Sequence, residues 1–470
     1  MDKSLDRKLA LIHADPNCRE FILADAKDGD MAYGLGAPGQ SPESLGGEAR
    51  FKTLEDYREN IRAITRQGFV DIMLMSAYNN YALTIEERLF EHSHVTPAVR
   101  ANDTTDIHLA RGSRYSSSPS RPFRTATIDH IQCGHEDCTD AERSLGANLG
   151  LYSVTFNNDL DRDQETLERF HEFRIEAERK GFRYFLEVFD PNIPGAVAPD
   201  LLPGYINDMI TRMLAGVAPA GRPQFLKMVY HGPRAMEELF RFDPKLVIGI
   251  LGGASGTTLD AFQLLYDAQK YGAKVALFGR KINNAENQLA FVHFLRLIVD
   301  GVIGPVDAVK AYHAVLSKLG VRPHRSLEDD LKHQSTSMSY GASSSSVVVQ
   351  KNESASSLNS RVSAHELMAN GSSSAERVGV EPAAHACRCH ERHSNEPSSN
   401  GSVVSASAGS ILFAPRVTQS ASRAFQPSVE AVSAGSDRTY PTLADGKPDF
   451  AKMNASQRLA YHRKRLGLGS

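Results

Sequence analysis

Lys227 sits within Phe225-Leu226-Lys227-Met228-Val229-Tyr230-His231-Gly232, an apolar run that ends in glycine. A lysine inside such a run loses hydration. It is then paired, neutralised or used chemically, because desolvation disfavours the ammonium. A neutral amine attacks a carbonyl carbon and forms a Schiff base. Two later apolar runs, 246–253 and 274–280, end in Gly252-Gly253 and Gly279-Arg280. Lysine, Gly-Gly and Gly-Arg thus follow one another at the ends of three successive segments. Glycine turns present backbone N–H groups to an anion, and a guanidinium offers it a planar fork. That combination suits carbonyl chemistry on a phosphorylated substrate.

The same chemistry needs a proton shuttle for the carbinolamine and the departing alkoxide. Asp25, Glu187 and Tyr230 each stand at or near the end of an apolar run. Glu187, in Phe185-Leu186-Glu187-Val188-Phe189, either pairs with a cation such as Lys227 or titrates unusually high. That pairing also offers a plain structural reading of Lys227, since buried ion pairs need no catalytic role. Gly252 and Gly253 can equally serve a tight turn alone.

A second cluster has metal-ligand types. His130, Cys133, His135 and Cys138 form His-x2-Cys-x-His-x2-Cys, with spacing tighter than usual structural zinc sites. A metal-dependent lyase or hydrolase using zinc there is the enzymatic alternative. Otherwise the segment packs reduced cysteines against the fold. Cys387 and Cys389, two residues apart, fall in a polar tail where composition explains them. Gly34-Leu35-Gly36-Ala37-Pro38-Gly39 matches a dinucleotide fingerprint only in letters, because Pro38 stands where a helix should open. Polar clusters at 102–106, beside Arg100, and at 157–159 and 190–192 follow apolar runs. They read equally as substrate contacts or as helix caps and turns.

Eight strand-like runs position these residues: 20–26, 70–77, 94–101, 149–156, 184–189, 225–230, 246–251 and 274–278. Most are nearly continuous apolar stretches, as expected of strands covered on both faces. Helical patterns fill the gaps at 54–67, 163–180, 202–215, 233–241, 258–271 and 285–300, with a further one at 307–319. Alternating strands and helices at this length predict a (β/α)8 TIM barrel over residues 1–335. Residues 102–145 interrupt the pattern and read as an elaborated loop at the catalytic end.

Composition bounds the rest. The 470-residue chain carries a net charge of −3, which gives no electrostatic footprint for nucleic acid. No apolar run is long enough to span a bilayer, and no basic-then-apolar leader opens the chain. Five cysteines in this length fit a reduced, cytoplasmic setting better than a disulfide framework. Residues 336–440, rich in Ser, Ala, Asn and Gly, read as a disordered linker that buries too little apolar surface to fold. In the final stretch, 441–470, Asn454 and Gln457 stand at capping-box spacing, the mark of a short docking or tail helix.

From Lys227 to Ile282 the chain resembles the class I aldolases, particularly archaeal-type fructose-bisphosphate and deoxyribose-phosphate aldolases. Lys227-Met228-Val229-Tyr230-His231-Gly232 is similar to their Lys-x-x-Tyr-x-Gly strand, and Gly252-Gly253 and Gly279-Arg280 to their phosphate turns. Asp25 matches an acidic residue ending their first strand. The loop Ala24-Asp25-Ala26-Lys27-Asp28-Gly29-Asp30 departs from the Asp-His-Gly of the fructose-bisphosphate enzymes. The resemblance implies a Schiff-base lyase with Lys227 as nucleophile and Asp25, Glu187 and Tyr230 as proton-transfer residues. Gly252, Gly253, Gly279 and Arg280 would hold the phosphate. It implies no cofactor, a small phosphorylated carbonyl substrate and a homo-oligomer as a possible assembly. A barrel that only binds a metabolite is the non-enzymatic alternative.

Overall fold

Eight parallel strands close into a barrel in which each strand pairs with its sequence neighbours and the last returns to the first. They are β1 (Ile22–Lys27), β2 (Ile72–Met75), β3 (Thr96–Arg100), β4 (Leu149–Thr155), β5 (Arg183–Phe189), β6 (Leu226–Met228), β7 (Gly249–Leu251) and β8 (Val275–Phe278). Every run expected from the sequence overlaps one of them. The computed structural model describes residues 1–39, 51–253 and 256–334, together with 441–442, 452–454, 457–458 and 461. The expected 336–440 linker and most of the terminal segment lie outside the described residues. At Asn454 and Gln457 each side chain accepts from the other's backbone N–H, at 2.9 and 3.1 Å, as the capping box requires.

Alternation along the strands sorts side chains into two layers. Ile22, Ala24, Ile72, Leu74, Ala98, Leu149, Leu151, Phe185, Phe225, Val275 and Leu277 fill the barrel interior. Their chain neighbours Leu23, Met73, Met75, Tyr152, Val154, Leu186, Met228 and Phe278 pack outward against the helices. Period-two alternation does this wherever both faces are covered.

Helices lie where their caps predict. Thr53 and Asp56 form a capping box at the start of Leu54–Gln67, and Thr257 and Asp260 form another at Thr258–Lys270. The remaining long helices are Leu160–Arg179, Leu202–Ala215, Pro233–Phe242, Gln288–Val299 and Pro305–Lys318. Gly34–Gly36 forms a 3-10 turn rather than the start of a nucleotide-binding helix. No helix of the described residues is long and apolar enough to cross a membrane.

One long helix, besides several short ones, had no counterpart in the sequence reading. Ser4–Ala14 presents Leu5, Leu9 and Ile12 to the interior cluster and plugs the barrel's N-terminal end. Lys8 on this helix bonds Asp71 at 2.9 Å and the Phe21 carbonyl at 2.8 Å, and Arg296 approaches the same carboxylate at 3.4 Å. Burial alone would raise the Asp71 carboxyl, but the two cations outweigh it and hold the group below the usual carboxylate range. Leu9→Ala should destabilise the barrel by about 2–5 kcal/mol, the cost of a core leucine left as a cavity. Urea denaturation followed by circular dichroism measures it. An unchanged midpoint would mean that the helix does not seal the core.

Candidate active site

Strand parity decides which residues face the barrel's mouth. Phe225 is interior, so Lys227 and Val229 face inward while Met228 and Tyr230 face the helices. Val229 joins Ile107, Phe189 and Leu251 in a small apolar layer across the mouth. Ile107 comes from the 102–145 insertion, which therefore caps the barrel. Beneath it is a cavity of about 50 Å³ whose lining includes Asp28, Arg100, Lys227, Gly252, Gly253, Gly279 and Arg280. The lysine, both glycine turns and the arginine singled out from the sequence thus share one cavity.

Lys227 is buried, and its amine lies 2.5 Å from Glu187 Oε1. Adjacent strands set this distance, since Glu187 on β5 is in register with Lys227 on β6. The other carboxylate oxygen, Oε2, accepts from Ser153 Oγ at 2.7 Å and from Arg100 Nη2 at 3.4 Å. Arg100 also donates to Ser153 Oγ at 3.0 Å and, through Nε, to Asp28 Oδ2 at 2.6 Å. Asn102 clips the β4 backbone at Ser153 from both sides, at 2.6 and 2.8 Å. The result is a buried chain, Lys227–Glu187–Arg100–Asp28, that alternates charge. Such a chain keeps each ion compensated away from water.

None of the three expected shuttles lines the cavity: Glu187 adjoins it through its contact with Lys227, and Asp25 and Tyr230 face outward. Asp25 lies beside Met73 and Phe278, which both face outward, and pairs with Lys27 at 3.1 Å behind β1. Burial pushes the Asp25 carboxyl up and the Lys27 amine down, each partly offset by the other. The inward parity Ile22, Ala24, Ala26 leads instead to Asp28, the acid that lines the cavity. Tyr230 joins the outer cluster with Met228. Among the described residues its buried hydroxyl has no hydrogen-bond partner, and burial raises its pKa, with Asp267, Tyr271 and Glu237 adding to the shift.

The glycines have mixed causes. A Cβ on Gly252 would sit 2.1 Å from the Phe278 ring, and the Gly252 N–H already donates to the Leu277 carbonyl at 2.8 Å. That N–H is taken up within the barrel, although Gly252 lines the cavity. Gly253 has φ +57°, a left-handed conformation that favours glycine. Gly279 packs close to the Ala26 carbonyl, where a Cβ would come within 2.9 Å. The helix start at Thr257 is also occupied, because Thr258 N donates to Asp330 Oδ1 at 2.7 Å. Gly253, Gly279 and Arg280 are the remaining members of the expected anion set, and all three line the cavity.

Asp28, Arg100 and Ser153 are the cavity and network residues that sequence reasoning missed as a set. The available signal was polarity at inward parity: Asp28 follows Ala24 and Ala26, and Arg100 and Ser153 interrupt apolar strands. The three polar clusters divide. Asp106 accepts from Ser120 Oγ at 2.6 Å and from Thr155 Oγ1 at 3.2 Å, and Asn192 bonds the backbone of Ser116, Ser118 and Ser120, so both fasten the insertion. Asp159 is a helix cap. Asp190 bonds His231 Nε2 at 2.9 Å.

No family model and no curated protein matches the sequence. Among solved structures, the chain is similar to a Schiff base-forming fructose-1,6-bisphosphate aldolase. The identity is 16%, over 63% of this chain and 100% of that one, with a TM-score of 0.44. An archaeal fructose 1,6-bisphosphate aldolase is similar at 15% identity over the same shares, also with a TM-score of 0.44. Cgl0159 from Corynebacterium glutamicum follows at 14% identity, over 64% of this chain and 97% of that one, with a TM-score of 0.41.

The His/Cys segment is built differently from either sequence expectation. Cys133 and Cys138 form a disulfide rather than a pair of reduced thiols, and Cys18 is free. The bond takes both sulfurs that a four-ligand zinc site would need. His130 instead faces Glu136 at 3.5 Å and His135 faces Glu142 at 3.3 Å, each near the surface. Among the described residues no group of three or more His, Cys, Asp or Glu side chains is gathered as a metal site. Cys387 and Cys389 lie outside the described residues.

Proposed function

We propose that this chain is a class I aldolase, cleaving or forming a carbon–carbon bond in a phosphorylated keto compound through a Schiff base on Lys227. One observation carries the reading. A buried amine at the catalytic end of a barrel stands 2.5 Å from a carboxylate, in a cavity that Arg280 and two glycine turns also line.

The chemistry follows from the contacts. Glu187 accepts a proton from the Lys227 ammonium, and the neutral amine adds to the substrate carbonyl carbon. The resulting alkoxide takes the extra proton of the newly bonded nitrogen to give a neutral carbinolamine. Glu187 returns its proton to the departing hydroxyl, and loss of water leaves a cationic imine. Asp28 then removes the proton of the hydroxyl on the far carbon of the bond to be broken, the carbon β to the imine. The C–C bonding electrons flow into the imine, an aldehyde leaves and an enamine remains. Protonation and hydrolysis of the enamine release the second product and Lys227. Arg100 holds Asp28 and Glu187 at fixed separation throughout, which is preorganisation rather than chemistry. Ile107 and the β7 turn must give way for a sugar phosphate to enter a space of about 50 Å³.

Borohydride reduces such an imine to a stable secondary amine. A panel of phosphorylated ketoses and aldehydes should therefore yield an adduct with one or more members. The same ion pair supports a second reading, a metabolite-binding barrel in which Lys227 only compensates Glu187, and that reading predicts no adduct with any carbonyl. Side chains carry every step of the mechanism, so exhaustive chelation should leave turnover unchanged. Activity lost on chelation and restored by zinc would overturn it. Arg280→Ala should weaken binding of inorganic phosphate by about 10- to 100-fold, the scale of a charge-assisted hydrogen bond, as read by calorimetry.

A further inference from the structure

A second cavity lies outside the barrel, behind β4. Its volume is about 280 Å³. Small-molecule sites run from roughly 300 Å³ upward, so this one suits a ligand of one or two rings. Three rings line it. Tyr152 is the β4 neighbour of Ser153 and faces the helices. It stacks on Phe173 of the helix Leu160–Arg179, with ring centroids 4.4 Å apart and planes inclined by 25°. Phe123 comes from the insertion, on the two-residue strand Pro122–Phe123 that pairs with Asp103–Thr104. Its ring meets His108 edge-on at 5.1 Å. Each ring is held by a neighbour, so the space is formed before any ligand arrives.

The polar lining is two arginines, Arg124 and Arg169, and two glutamates, Glu165 and Glu172. The charges balance, and each has a partner. Arg124 Nη1 donates to Glu176 at 2.6 Å, Arg169 Nη1 to Glu172 at 2.9 Å and Arg162 Nη1 to Glu165 at 3.1 Å. An anion entering here would meet no uncompensated cation. Donors are a different matter. Arg124 Nε donates to the Ala101 carbonyl at 3.2 Å, but Nη2 is buried and makes no hydrogen bond among the described residues. A buried donor without an acceptor costs free energy that a ligand can recover. Tyr152 supplies a second donor. Burial raises its pKa against the pull of Arg124 and Arg169, so the hydroxyl keeps its proton.

We propose that this cavity binds a small, neutral, planar aromatic molecule that carries a carbonyl oxygen, the class of aromatic carboxamides and oxo-nucleobases. The flat ring lies among Phe123, Tyr152 and Phe173. One carbonyl oxygen has lone pairs for both Arg124 Nη2 and the Tyr152 hydroxyl. An amino group on the ligand finds Glu165 or Glu172. Neutrality follows from the balanced charges. The site shares no lining residue with the Lys227 cavity, and it stands whether or not the chain is an aldolase.

The test uses the full chain and nicotinamide as the probe, with affinity read by saturation-transfer NMR. Nicotinamide should bind about tenfold more tightly than nicotinate, which adds a charge, and than cyclohexanecarboxamide, which has no flat ring. Tyr152→Phe loses only the hydroxyl, and Arg124→Lys has a single nitrogen, which Glu176 holds. Each should weaken nicotinamide about 3- to 10-fold, the scale of one hydrogen bond. If Arg124→Lys does not fold, Tyr152→Phe decides the matter alone. Inorganic phosphate and Arg280→Ala should leave nicotinamide binding unchanged. A parental chain that binds no nicotinamide overturns the proposal, as does parental affinity in a folded Tyr152→Phe chain. Equal affinity for the three probes removes the aromatic and neutral character claimed for the ligand. Displacement of nicotinamide by phosphate would put it in the Lys227 cavity and refute the second site.

Discussion

Lys227→Arg abolishes turnover and the borohydride adduct together. The guanidinium stays protonated at any working pH and cannot become the attacking amine. Loss of a covalent nucleophile costs on the order of 10⁴-fold or more in rate. The fold should survive, because the substituted guanidinium keeps a positive charge opposite Glu187, whose other oxygen remains tied to Ser153 and Arg100. Peptide mapping after trapping identifies the modified residue. Two other lysines are informative controls. Lys27 is fully buried behind β1 against Asp25, and Lys281 is held by the Gly256 carbonyl. An adduct on either, or normal turnover by Lys227→Arg, would remove the mechanism while leaving the barrel intact.

Asp28 and Asp25 should separate catalysis from stability. Asp28→Asn keeps an oxygen acceptor for Arg100 Nε, and Arg100 also retains Glu187 as counter-ion. The variant loses the base, so kcat should fall about 10²- to 10⁴-fold, with a smaller drop in the unfolding midpoint than Asp25→Asn. Asp25→Asn leaves the Lys27 cation buried without its counter-ion. Removing one partner of such a pair destabilises by roughly 3–5 kcal/mol, so the unfolding midpoint should drop while the folded fraction keeps its turnover. Steady-state kinetics and urea denaturation on both variants decide the matter. A folded Asp25→Asn chain that loses turnover as fully as Asp28→Asn would return the proton shuttle to Asp25.

The two aspartates also show where one-dimensional reading stops. Both are acids near the end of the first apolar run, and hydrophobicity alone favours the nearer one. Side-chain direction alternates with each residue, so a choice off by an odd number of positions points to the wrong layer. Tyr230 fell to the same effect, three residues beyond Lys227 and therefore on the opposite face. Counting inward from Ile22 would have reached Asp28, but which alternate set faces inward is known only once the strands have closed on one another.

What the sequence determined by itself is what depends on neighbours along the chain. The apolar runs specified eight strands, the helical patterns between them specified the helices, and the order Lys227, Gly252-Gly253, Gly279-Arg280 specified three consecutive strand ends. These follow from local burial periodicity and local hydrogen bonding. Tertiary structure alone decided the rest. It brought Glu187 to 2.5 Å from Lys227, drew Arg100 between Glu187 and Asp28 and docked Ser4–Ala14 under the barrel. Each is a contact set by closure and register, in which residues far apart in the chain meet because strand tilt and stagger leave them one way to face each other.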